Sequence, residues 1–168
     1  MLNKIKTIII TITLIFSIGC RVDAAGKGGY SQNDVRVKSG LTEQQIKNLL
    51  PKNMKQLSST IYKIENSSRP INSHFLSSVV KLESGNGTSY SYRNRNNVGG
   101  IMGKHGLRKF TSKEQSLYYM QDFLYRGYIN RGRRNVWKIG SKYCVGGNWA
   151  YKVNNLAINS MRKSWEFR

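Results

Sequence analysis

A mainly α (α+β) fold, a helical bundle interrupted by one small irregular β or loop segment, follows from three features of the chain. Apolar residues recur at spacings of three and four in successive stretches, the signature of helices with one buried face. Several of these stretches open on side chains that cap helix N-termini. One interval, Gly85 to Phe110, abandons that period for Gly, Asn, Ser and Tyr. The 168 residues divide into 1–25, read as a signal peptide, 26–40, a flexible linker, and 41–168, a single domain with one core.

The leader reading rests on Lys4 and Lys6 ahead of the apolar run Ile8 to Ile18, which is too short for a comfortable membrane span. Val22-Asp23-Ala24 offers a signal-peptidase site. Ser17-Ile18-Gly19-Cys20 offers the alternative, a lipid anchor through Cys20. Ala25 to Gly40 is rich in Gly, Ser and Lys without periodicity, hence the linker.

Within the domain, Thr42 and Gln45 form a capping box for a short helix carrying Ile46, Leu49 and Leu50, which Pro51 ends. Met54, Leu57, Ile61 and Ile64 mark a second helix that stops at Asn66-Ser67-Ser68. Asn72 caps a third, which runs to Ser84. The segment from Gly85 to Phe110 is a small sheet or a long ordered loop, and that length without a helical period points to function more than linkage. Thr111 and Glu114 make a second box for a helix with Leu117, Met120, Leu124 and Tyr128 on one face. Arg131 to Arg134 is a basic turn. Val136, Ile139 and Tyr143 define a short helix, Cys144 to Asn148 a tight loop, and Trp149, Val153, Leu156, Ala157 and Met161 a final amphipathic helix.

Glu83 is out of place in this scheme. It shares a face with Leu76, Val79 and Val80, has no Lys or Arg three or four residues away, and sits in the last helical turn before Gly85 and Gly87. Apolar surroundings and the negative end of the helix dipole both favour its neutral form and raise its pKa. A carboxyl group so tuned can act as a general acid near neutral pH.

Composition narrows the field further. Lys and Arg number 28 against 8 Asp and Glu, a net charge of +20, which attracts polyanions. For an exported chain the polyanion is the anionic polymer of a cell envelope. Nucleic acid is disfavoured, since the basic residues form no base-reading module. With Cys20 in the leader and Cys144 alone in the body, no intramolecular disulfide and no thiolate metal site is expected, and Cys144 reads as a small buried side chain. His74 and His105 lack metal-ligand spacing, so neither metal nor cofactor is expected. The domain is expected to be a monomer.

The most specific string is Leu82-Glu83-Ser84-Gly85-Asn86-Gly87-Thr88-Ser89 followed by Asn96-Asn97-Val98-Gly99-Gly100-Ile101-Met102. It resembles the glucosaminidase family of bacterial peptidoglycan hydrolases, which pairs a Glu-(Ser or Thr)-Gly-x-Gly-x-Ser turn with a downstream Asn-Asn-x-x-Gly. The resemblance spans roughly Leu50 to Met161. It implies a lysozyme-like fold, with Glu83 as the catalytic acid cleaving the β-1,4 bond after N-acetylglucosamine in peptidoglycan glycan strands. It also singles out Tyr143, matched to a late Tyr of the family, as a catalytic phenol that hydrogen-bonds near the reacting centre. The chain departs from its relatives at Asn86, often aromatic there, and in Cys144 to Gly147, where an acidic residue is common.

Around that acid, Ser84 and the neighbouring glycines permit a sharp turn close to a sugar, and Asn96 and Asn97 offer amides suited to hydroxyl and acetamido groups. Tyr90, Tyr92, Tyr118, Tyr119 and Trp149 offer flat faces for pyranose rings. The substrate-binding candidates are thus Ser84, Asn96, Asn97, Tyr119 and Trp149. Glu114 is accounted for by the capping box and Asp122 as a solvated helix residue. No second catalytic carboxylate remains, so the substrate's own 2-acetamido group is the expected partner of Glu83. A muramidase or lytic transglycosylase on the same scaffold, or a non-catalytic wall-binding protein, are the alternatives. The expected setting is secreted and wall-associated.

Overall fold

Local capping determines where most helices begin in the computed structural model, which describes residues 29–144 and 147–167. The expected signal peptide 1–25, including Cys20, and residues 26–28 of the expected linker lie outside the described residues. Helix α1 (Glu43–Leu49) starts from the reciprocal box of Thr42 and Gln45. Beyond Pro51 the chain takes a 3₁₀ path over Lys52–Leu57 and then enters α2 (Ser58–Glu65), so the single helix expected from Met54 to Ile64 is two pieces. The Met54 N–H bonds the Pro51 carbonyl at 2.8 Å, which starts the tighter winding.

Helix α3 (Ser73–Glu83) is capped as expected by Asn72, whose side-chain oxygen accepts from the His74 and Phe75 amides. The interval after it is more ordered than its composition implies. It holds a short helix α4 (Tyr90–Arg95) capped by Ser89, then a hairpin of β1 (Met102–Gly103) and β2 (Gly106–Leu107), antiparallel with Met102 opposite Leu107. Helix α5 (Lys113–Gly127) is capped by Ser112, which accepts from the Gln115 amide. Gln115 reaches back to the Thr111 N–H and hydroxyl at 2.9 Å each, so the expected Thr111 and Glu114 box is formed by neighbouring residues instead. A 3₁₀ turn (Ile129–Arg131) and the left-handed Gly132 lead to α6 (Val136–Tyr143), and α7 (Trp149–Ser164) closes the fold.

The core lies between α3 and its neighbours: Ile61 and Ile64 of α2, Phe75, Leu76, Val79 and Val80 of α3, Leu117 and Leu124 of α5, Ile139 of α6 and Val153 of α7 are all fully buried. The α3–α7 pair packs most extensively. Near the far end of α7 a buried polar link joins them, His74 Nδ1 to Ser160 Oγ at 2.9 Å. At the α6–α7 elbow, Gly140 is required because a Cβ there would lie 2.6 Å from that of Ala150.

Residues 29–40 correct the expectation of a flexible linker. Val35 is fully buried, its amide bonds the Arg134 carbonyl at 2.9 Å, and its carbonyl accepts from the Asn72 amide at 2.8 Å. Asn72 also donates to the carbonyls of Gly29 and Val37, at 2.9 and 2.7 Å. The buried carboxyl of Glu65 accepts from the Ser39 amide, the Ser39 hydroxyl and the Ser73 hydroxyl. A segment with almost no hydrophobic period is held by hydrogen bonds to helix ends, a signal that periodicity does not carry. Among the described residues no helix is long and apolar enough to cross a membrane.

Candidate active site

Glu83 is the last residue of α3, and the backbone behind it is strongly constrained. Gly85, Asn86 and Gly87 are all left-handed, at φ of 56°, 56° and 78°. Ser84 is buried, donates from Oγ to the Val80 carbonyl at 2.6 Å and accepts from the Gly87 amide at 2.8 Å. Asn53, on the 3₁₀ segment, donates to the carbonyls of Asn86 and Gly87 at 3.1 and 2.8 Å. A Cβ at Gly87 would lie 2.8 Å from the Asn53 and Met54 side chains, so only glycine allows this clamp.

Two cavities meet at the Glu83 carboxyl. One, of about 450 Å³, is lined by Glu83, Tyr143, Cys144, Asn148, Trp149 and Lys152, among others. The other, of about 360 Å³, is bounded by Glu83, Gly99 to Met102, Tyr119, Phe123, Tyr128 and Tyr143. Glu83 and Tyr143 belong to both, so the carboxyl lies at the junction of a two-sided groove with α6 and α7 on one side and the hairpin and α5 on the other.

Burial pushes the Glu83 carboxyl above the usual carboxylate range, opposed in part by a hydrogen bond from Trp149 Nε1 to Oε1 at 2.6 Å. The direction expected from sequence therefore holds, with desolvation as the leading cause. Tyr143 stacks on Trp149 with centroids 4.4 Å apart and planes at 22°. Its phenol is pushed up beyond any physiological titration by burial and then by the Glu83 charge. Tyr143 thus stays neutral, its phenol keeping an O–H to donate.

Four of the seven residues singled out from sequence, Glu83, Tyr143, Trp149 and Tyr119, line this groove, and three do not. Ser84 is committed to the turn. Asn97 is wholly buried: its side-chain oxygen accepts from the Gly99 and Ile101 amides, and its Nδ2 donates to the Ile101 and Arg108 carbonyls at 2.8 and 2.9 Å. Asn96 is left-handed at φ 51°, donates to the Phe110 and Thr111 carbonyls and accepts from Lys113 at 3.1 Å. Both asparagines hold the wall of the groove in place, and their amides are spent on protein. At Gly99 a Cβ would lie 2.1 Å from the Met120 Cε, so that wall packs directly onto α5.

The aromatic residues sort differently from the expectation as well. Trp149 is only 5% exposed, with one ring face covered by Tyr143, so it positions the acid more than it offers a platform. Tyr92 belongs to the core and donates to the Asn53 carbonyl at 3.0 Å. Tyr119 is half-buried and braced by Arg108, whose guanidinium lies 4.4 Å from its ring centroid. Phe123, one turn after Tyr119 on α5, and Tyr128 were missed; the i, i+4 spacing from Tyr119 to Phe123 is the signal that would have found the first. Cys144 is exposed on the groove rim, not buried, because an extended backbone at φ −142° turns it off the helix face.

The remaining described acids are committed elsewhere. Asp34 pairs with Arg36, and Asp122, expected to be simply solvated, pairs with Arg69 and Arg126. Glu65 is buried against Ser39 and Ser73, and Glu43, Glu114 and Glu166 line neither half of the groove. Among the described residues no group of three or more His, Cys, Asp or Glu gathers as a metal site.

No protein-family model and no curated protein matches this chain in sequence. Solved structures do match in fold. Autolysin E of S. aureus aligns at a TM-score of 0.69 and 17% identity, covering 80% of this chain and 74% of that one. A catalytic mutant of the same protein in complex with the disaccharide NAG-NAM aligns at 0.69 and 16%. Its complex with the muropeptide NAM-L-Ala-D-iGlu aligns at 0.70 and 16%, covering 83% and 76%. The seven helices and two-stranded sheet among the described residues are therefore those of the lysozyme-like autolysin fold.

Proposed function

We propose that this chain is a peptidoglycan hydrolase that cleaves the β-1,4 bond after N-acetylglucosamine, with Glu83 as general acid and the substrate's 2-acetamido group as its partner. The observation that carries the reading is the placement of a single carboxyl, with a raised pKa, at the junction of a two-sided groove. Support comes from the shared fold with a protein solved in complex with the disaccharide NAG-NAM and with a muropeptide.

In the proposed reaction the neutral Glu83 gives its proton to the glycosidic oxygen as the bond to the anomeric carbon breaks. The acetamido oxygen of the same sugar attacks that carbon from the opposite face, forming a cyclic oxazolinium, and the leaving sugar departs with the proton. Water then opens the ring and returns a proton to the Glu83 carboxylate, with net retention. Trp149 holds the carboxyl in one orientation throughout, and the Tyr143 hydroxyl is available as a donor beside it.

The absence of any other carboxyl from the groove lining among the described residues is what favours neighbouring-group help over a two-acid route. The high positive charge would hold the chain to an anionic envelope, with secretion by the leader and action outside the cell completing the proposal. The test is digestion of defined peptidoglycan with reducing-end and anomeric analysis. Glucosamine ends with retained configuration are expected. Muramic or anhydro-muramic ends would reassign the bond to a muramidase or transglycosylase, inversion would exclude neighbouring-group help, and binding without products would leave a wall-binding protein.

A further inference from the structure

A second concave site lies away from the groove. Lys81 stands two positions before Glu83 on α3, about 200° round the helix, and so faces elsewhere. It lines a cavity of about 350 Å³ with Arg162 and Lys163 from the last turn of α7, Asn159, Leu49 and Glu166. Lys81 Nζ donates to the Leu49 carbonyl at 2.8 Å, which fixes the ammonium group at the cavity floor.

Cations in the last turn of α7 are explained by the helix dipole alone. A lysine brought in from a second helix and partly buried beside them is not. Burial, then the charge of Lys163, pushes the Lys81 ammonium down to about 8, so the cluster is held together against desolvation and like-charge repulsion. The ion pairs among the described residues involve Arg36, Arg69 and Arg126, none of them in this cavity, and Glu166 is the one acid in its lining. An anion entering between the three cations would relieve the repulsion. Three cations and the Asn159 amide, arriving from two helices, suit a phosphate with oxygens on several sides better than a planar carboxylate.

The cavity is joined to the groove by one face of α7. Trp149 and Lys152 line the groove, and Leu156, Asn159 and Lys163 continue the same stripe at spacings of three and four into the second site. From Trp149 to Lys163 the helix rises about 21 Å.

We propose that the Lys81, Arg162 and Lys163 cavity binds the phosphodiester groups of an anionic polymer carried on the same wall whose glycan enters the groove. This rests on the wall-hydrolase reading for the identity of the polymer, while the phosphate chemistry is read from the cavity itself. Held there, the polymer tethers the enzyme along α7 without occupying the groove.

The test uses the full chain and a variant carrying Arg162→Ala and Lys163→Ala, both exposed positions, with Lys81→Met as a second variant checked by thermal melting. Binding is measured at fixed salt to purified walls before and after hydrofluoric acid removes their phosphodiester polymer. The unaltered chain should bind stripped walls about tenfold more weakly, and both variants should bind the two preparations alike. Purified polyglycerol phosphate should shift the amide resonances of Asn159 and Lys163. Variants that still discriminate, or that weaken equally on both walls, would overturn the proposal. So would tighter binding of duplex DNA than of the polymer, or shifts produced by inorganic phosphate but not by the polymer. Reducing ends are counted in the same samples: their absence from both walls counts against the hydrolase reading alone, since the binding contrast does not require turnover.

Discussion

Trp149 donates its indole N–H to Glu83 at 2.6 Å while its ring lies flat on Tyr143. One side chain thus orients the acid and tempers the rise in proton affinity that burial imposes. Replacing it by Phe keeps the stacking and removes the donor. Because that hydrogen bond lowers the Glu83 pKa, Trp149→Phe should raise it further, moving the alkaline limb of the pH–rate profile upward and reducing kcat about tenfold. A profile that stays in place would show that the indole does not tune the acid.

The wild-type profile follows from the same carboxyl. Glu83 must be protonated to act, so activity should fall as pH rises through a pKa that lies above the usual carboxylate range. Glu83→Gln should cost at least about a thousandfold in kcat. Its effect on stability has the opposite sign. A carboxyl whose pKa is raised by folding contributes stability below its unfolded pKa and loses it as pH rises through the folded one. Glu83→Gln should therefore melt higher than wild type near neutral pH, a difference that vanishes in acid, as scanning calorimetry at several pH values would reveal.

Asn97 is the staple of the groove wall. Asn97→Ala leaves the Gly99 and Ile101 amides and the Arg108 carbonyl of a tight loop without their partners, while the Ile101 carbonyl keeps the Arg108 amide, at a cost of about 2–4 kcal/mol, readable from urea unfolding. KM should rise as the Gly99 to Met102 wall loosens. An unchanged KM would mean that substrate does not lean on this wall.

Residues 29–40 should be indispensable. A chain begun at residue 41 loses the buried Val35 and strips the Glu65 carboxyl of both bonds from Ser39. Destabilisation of about 3–5 kcal/mol is expected in the same unfolding assay, and an unaffected midpoint would show that the segment merely rests on the domain.

Cys144 gives a direct probe of the groove. It is an exposed free thiol on the rim of the cavity beside Glu83. A bulky maleimide should label it in the folded protein and abolish lysis without shifting the melting temperature, whereas a labelled and fully active enzyme would put the substrate elsewhere.

These outcomes also mark what could be read from the residues in order. The raised pKa of Glu83 was legible because local features point to it: the apolar period of α3, the missing counter-charge and the glycine stop. The indole that governs it was not, since 66 residues separate Trp149 from Glu83 and only the packing of α7 on α3 brings them together. Asn96 and Asn97 were found but given the wrong partners, because an amide suited to a sugar is equally suited to a backbone carbonyl. The clamp formed by residues 29–40 escaped for a related reason, its stability residing in hydrogen bonds to helix ends and one buried valine.

The left-handed turn of Gly85, Asn86 and Gly87 is anchored from behind by Asn53, away from the residues that line the groove. The turn behind Glu83 and the groove rim at Cys144 and Asn148 are thereby held by separate parts of the chain. Under the proposed function, substitutions at Cys144 or Asn148 should therefore alter which saccharide binds while the turn behind Glu83 stays in place.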